Sequence, residues 1–159
     1  MKTSTEKSVH ALTQILDDLF LKHGITPEQL LTAIVQNKSP VIPLSVFSNK
    51  LSVLEIVVKY LREEKHLKYS EIAHLLDRDD RTIWTTYNNG LKKLKSLVVQ
   101  RTDEYIPVSI FSSRKYSVLE SLVLYLKELG YSFGKISLLL NKNYQTIYTS
   151  YRRGIAKNE

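Results

Sequence analysis

Apolar residues along the chain fall into stripes with helical spacing, and the stripes come in two matching sets. Val53, Leu54, Val57, Val58 and Leu61 stand at offsets of 0, 1, 4, 5 and 8, and Val118, Leu119, Leu122, Val123 and Leu126 repeat them. That spacing gives a helix one buried face. A shorter helix is predicted next, with Ile72, Leu75 and Leu76 in the first set and Ile136, Leu139 and Leu140 in the second. Asp77, Arg78 and Asp79, or Asn141, Lys142 and Asn143, follow. Short polar side chains of this kind tolerate left-handed backbone and cap the next helix, so the chain is expected to turn there. A third helix keeps Ile83, Tyr87 and Gly90 inward, matched by Ile147, Tyr151 and Gly154. In the first copy it is expected to continue through Leu94 almost to Val99, leaving the polar stretch from Gln100 to Tyr105 as a linker.

The two sets are an internal duplication. IPLSVFS at Ile42–Ser48 recurs as IPVSIFS at Ile106–Ser112, SVLEIVVKYLREE at Ser52 as SVLESLVLYLKEL at Ser117, and the stretch from Glu71 as the stretch from Lys135. About 50 aligned positions hold 22 identities, where chance gives about three. Pro43 and Pro107 make each opening segment a strand-like arm or a single helical turn, with Phe47 and Phe111 expected to plug their own repeat's core. Glycine inside a helix costs about 1 kcal/mol relative to Ala. The recurrence of Gly90 and Gly154 therefore points to close approach to the supporting helix.

Ahead of the repeats, Leu12, Ile15, Leu16, Leu19 and Phe20 predict an amphipathic helix ending near Gly24. Thr26, Pro27 and Gln29 predict the capped start of a second helix through Val35, ended by Ser39 and Pro40. The fold class is thus all-α: a helical hairpin at residues 1–38, then repeats at 41–99 and 105–159 arranged as a covalent pseudo-dimer. The hairpin cannot bury its stripe alone. It is expected to pack on the repeats, to form a homodimer, or to contact another protein.

Charge locates the chemistry. The 159 residues carry 23 Lys and Arg against 16 Asp and Glu, a net +7. Residues 1–40 are neutral, residues 41–100 carry +3 and residues 101–159 carry +4. An anion-binding role therefore belongs to the repeats, and nucleic acid is the expected partner. There is no cysteine, which fits a reducing compartment and excludes thiolate sites. With no secretory leader and no apolar run of about 18 residues, a cytoplasmic, nucleoid-associated protein without a membrane partner is expected. His10, His23, His66 and His74 show no metal-ligand spacing, and neither a glycine-rich phosphate loop nor an acid–base constellation appears. No cofactor and no enzymatic activity are expected.

The stretch YSEIAHLLDRDDRTIWTTYNNGLKKL resembles the helix-turn-helix DNA-binding unit of sigma-factor carboxyl-terminal domains and response-regulator output domains. The aromatic residue and EIA opening one helix, LL closing it, Thr82 and Ile83 early in the next and the KKL ending carry the likeness. It implies a recognition helix placed in the major groove of double-stranded DNA. With Ile83, Tyr87, Gly90 and Leu94 inward, helix geometry turns Arg81, Thr85, Asn88 and Lys92 outward, and Gln145, Thr149, Arg152 and Ala156 in the second copy. Arg can fork onto guanine, Asn or Gln can pair with adenine, and the Thr methyl can touch thymine.

Tyr148 and Trp84 flank those faces. Arg78, Lys142, Arg153, Lys93 and Lys157 are candidates for phosphates. The reading is a sequence-specific transcriptional regulator with two units in adjacent major grooves. The alternatives are an adaptor docking on transcription machinery, favoured by the acidic turn of the first repeat, and a sequence-neutral nucleoid or single-strand binder.

Overall fold

The computed structural model describes residues 3–36 and 39–159, which divide between residues 38 and 39 into two compact units. The first unit holds two helices, α1 (Ser4–His23) and α2 (Pro27–Gln36). Thr3 and Glu6 form a reciprocal cap on α1, and Gly24 ends it in the left-handed conformation with φ 67°. That conformation is open to glycine at little cost, which is why the helix stops there. Thr26 and Gln29 cap α2 in the same reciprocal way. Helix α1 buries none of its residues.

The second unit is built from the two repeats. The first contains β1 (Val41–Pro43), a 3₁₀ turn at Leu44–Ser48, and helices α3 (Val53–Glu63), α4 (Tyr69–Leu76) and α5 (Asp80–Lys93). The second contains β2 (Tyr105–Pro107), a 3₁₀ turn at Val108–Phe111, and helices α6 (Val118–Glu128), α7 (Phe133–Leu139) and α8 (Tyr144–Ala156). The described structure is therefore overwhelmingly helical. No described helix is long and apolar enough to cross a membrane. Each supporting helix begins at a reciprocal cap, Ser52 with Glu55 and Ser117 with Glu120.

Both forms foreseen for the arms occur in sequence, a short strand and then a tight helical turn. Strands β1 and β2 pair antiparallel, with Ile42 opposite Ile106, Val41 opposite Pro107 and Pro43 opposite Tyr105. Ile42 and Ile106 are the same position of the duplication, and the flanking pairs are exchanged counterparts. The pairing is isologous, as in a two-fold dimer. The next hydrogen bonds obey the same symmetry: Leu44 N–H donates to Glu104 O and Val108 N–H to Pro40 O, both at 2.9 Å.

Two expectations are corrected here. Phe47 and Phe111 do not plug separate cores. Their rings face each other at 6.2 Å, and each 3₁₀ turn packs on the short helix of the opposite repeat as well as on its own supporting helix. The two repeats consequently share one core, with Ile42, Phe47, Ile106 and Phe111 buried within it. Helix α5 does not run on toward Val99. It ends at Lys93, and Leu94 is extended at φ −148° and ψ 119°. The ammonium of Lys59, fully buried, donates to Lys95 O at 2.8 Å, and Asn49 bonds Val98 through both N–H and C=O at 3.0 Å. With Leu94 and Leu97 packed on the core, these contacts outweigh the few hydrogen bonds that further helix would add.

Candidate nucleic-acid interface

Each repeat presents its third helix on a capped turn. In the first, Asp77 takes the left-handed conformation at φ 50°, and Asp79 caps α5 by accepting from Thr82 N–H at 2.9 Å and from its hydroxyl at 2.8 Å. Those bonds hold the Asp79 carboxyl below its ordinary pKa. In the second, Asn141 is left-handed at φ 48°, and Asn143 caps α8 through Gln145 N–H at 2.8 Å. Both turns thus use a short polar residue where backbone sterics favour glycine.

Burial on these helices follows the inward stripe. Ile83 and Gly90 are buried on α5, and Ile147 and Gly154 on α8. A side chain on Gly90 would meet Glu55 Cβ at 3.5 Å, and one on Gly154 would meet Leu124 Cδ1 at 2.8 Å. The supporting helices α3 and α6 therefore lie directly against these glycines. On the opposite face of α5, Arg81, Thr85 and Lys92 are exposed. Asn88 is half-buried and donates to Trp84 O at 2.8 Å, while the Trp84 ring is 55% exposed. On α8, Gln145, Arg152 and Arg153 are exposed and Thr149 is half-buried. Tyr148 is 38% exposed and stands edge-on to Phe133. A groove of about 570 Å³ brings Gln145, Thr149 and Arg153 together beside the start of α6.

The basic residues divide into those free to meet an anion and those already occupied. Lys93 pairs with Glu55 at 2.7 Å and Lys157 with Glu120 at 2.6 Å. Both carboxylates are nearly buried. Burial alone would raise their pKa values, but the lysine bonds and the capping serine amides outweigh it and hold both below the ordinary value. The last-turn lysines are thus drawn back onto the supporting helices. Arg78 is half-buried with its Nε enclosed and unpartnered, and Lys142 is half-buried in its turn. Arg81, Lys92, Arg152 and Arg153 remain as the exposed cations of the two outward faces.

One contributor was invisible to sequence reasoning. Arg114, from the second arm, donates to Asp77 O at 3.1 Å and so brings a cation to the acidic turn of the first repeat. No spacing along the chain signals a contact made only because the arms cross. Among the described residues, no group of three or more His, Asp or Glu side chains is placed to hold a metal. Compared with models of protein families, with curated protein sequences and with solved structures, the chain matches none of them.

Proposed function

We propose that the two repeats are helix-turn-helix units and that the chain is a sequence-specific, double-stranded-DNA-binding regulator of transcription acting at the nucleoid. The observation that carries this reading is the isologous pairing of Ile42 with Ile106. A local two-fold relating α5 to α8 suits the two-fold of a duplex, in which successive major grooves lie about 34 Å apart on one side. The outward residues supply both kinds of contact: Arg81, Asn88, Gln145 and Arg152 for base edges, and Arg153 and Lys92 for phosphates. Because these residues differ between α5 and α8, the preferred site is two unlike half-sites.

Selection of bound duplexes from a random pool tests the proposal, followed by salt titration of the preferred site. Arg152→Ala is expected to weaken binding and relax preference at one base position. Arg153→Ala is expected to weaken binding uniformly and flatten the slope of log affinity against log salt by about one. Unchanged binding in both variants refutes the assignment.

A second reading, an adaptor that docks on a protein of the transcription machinery, is favoured by Asp77, Asp79 and Asp80 at the first turn. It predicts no duplex bound at moderate salt.

A further inference from the structure

The turn that leads into each third helix is reached by the arm of the other repeat. The 3₁₀ turn of the second arm packs on α4, and that of the first arm packs on α7. Just past the second arm's turn, Arg114 donates to Asp77 O at 3.1 Å. At the end of the first arm's turn, Ser48 O accepts from Asn141 Nδ2 at 3.5 Å. Asp77 and Asn141 are the left-handed residues of their turns, so the same crossing is made twice. In the duplication Lys50 is the counterpart of Arg114 and follows Ser48 closely. Both cations are exposed, and neither pairs with a carboxylate among the described residues.

The charge of the turns gives these two side chains their weight. Residues 77–81 hold three aspartates against Arg78 and Arg81, a net −1. A phosphate meeting only those residues is repelled. Arg114 brings that turn to neutrality. Residues 141–145 hold Lys142 alone, a net +1, to which Lys50 adds a second positive charge. The bond to Asp77 O also fixes where the Arg114 guanidinium stands. It uses one of five N–H donors and leaves the charge intact. An arginine already held loses less freedom on binding an anion. A recognition helix that enters the major groove by its N-terminal residues carries the turn before it to the phosphate edge of the groove.

We propose that Arg114 and Lys50 are phosphate-binding residues that act across the repeats. Arg114, from the second repeat, serves the half-site met by α5, and Lys50, from the first, serves the half-site met by α8. The assignment rests on the duplex-binding reading and extends it. Arg78 joins Arg114 at one turn, and Lys142 joins Lys50 at the other. Neither turn is complete without the opposite arm, so the pairing of Ile42 with Ile106 shapes the binding surface as well as the core. The acidic turn makes Arg114 the more necessary of the two.

The test uses the full chain and the duplex it selects from a random pool, with single methylphosphonates replacing phosphates along both half-sites. Arg152→Ala marks the half-site of α8 by the base position where preference relaxes. Arg114→Ala is expected to weaken binding about tenfold and to flatten the slope of log affinity against log salt by about one. It is also expected to lose its response to a methylphosphonate at the α5 half-site. Lys50→Ala is expected to lose the response at the α8 half-site, with binding weakened about threefold. Arg114→Lys keeps the charge and is expected to recover the slope, which a folding defect does not do. Unchanged binding and slope in both alanine variants, or a response lost at the half-site of the residue's own repeat, overturns the assignment and leaves the duplex-binding reading standing. If the unsubstituted chain selects no duplex, both fall.

Discussion

Substitution of the two paired glycines isolates how closely each third helix approaches its support. Alanine in place of an interior helical glycine gains about 1 kcal/mol from backbone propensity. At Gly90 the added methyl meets Glu55 Cβ at 3.5 Å, an ordinary carbon contact, so Gly90→Ala is expected to stabilise by about 1 kcal/mol. For a unit of this size that raises the melting temperature by about 3–5 °C. At Gly154 the methyl lies 2.8 Å from Leu124 Cδ1 and 3.1 Å from Cγ. Leu124 has to leave its rotamer, at a cost of about 0.5–1.5 kcal/mol, which cancels the gain.

Gly154→Ala is therefore expected within about 0.5 kcal/mol of the unsubstituted protein, the residue of those two opposing effects. Removing the obstacle with Leu124→Ala should restore the full propensity gain, giving a coupling of about 1 kcal/mol in a double-mutant cycle. Urea and thermal unfolding of the full chain read all four proteins. Equal stabilisation at both glycines, or a loss above about 1 kcal/mol at Gly90, would refute the packing difference between the repeats.

Phe111→Ala is expected to cost about 3–5 kcal/mol and, because its ring faces Phe47 across the shared core, to speed amide exchange in α3 as much as in α6. Acceleration confined to the second repeat would show that the halves fold independently. Glu55 and Glu120 have folded-state pKa values below the ordinary 4.5. Their contribution is complete above that value and is lost as acid takes the solution through the lower folded values. Glu55→Gln with Glu120→Gln should flatten the fall of melting temperature between pH 5 and 3, which melts at graded pH measure. Asp79→Asn copies the Asn143 cap and removes a charge. It should leave stability nearly unchanged, since Asn caps as well as Asp, while tightening duplex binding in a gel-shift titration; weaker binding would place the first turn away from phosphates.

The helices, their caps and their inward stripes were legible in the sequence because each is a local matter. The reciprocal cap at Thr26 with Gln29 follows from residues three apart, and period-3.6 stripes follow from one face meeting one core. The outward positions Arg81, Thr85, Gln145 and Arg152 came from the same periodicity, and burial along α5 and α8 agrees with it. The continuation of α5 was misjudged for the opposite reason. Lys59 and Asn49, 36 and 49 residues from Lys95 and Val98, stop it, and no window along the chain contains both partners.

The duplication, then, was written in the sequence, and with it two copies of a three-helix unit and a cationic excess beyond residue 40. Only the tertiary structure decided that the copies cross arms about a local two-fold and that Lys93 and Lys157 are spent on buried carboxylates. The physical reason is one of range. Helix and cap formation draw on neighbours within four residues, whereas pairing Ile42 with Ile106 requires two segments 64 residues apart to find each other, and their energy comes from a core that exists only once both have folded.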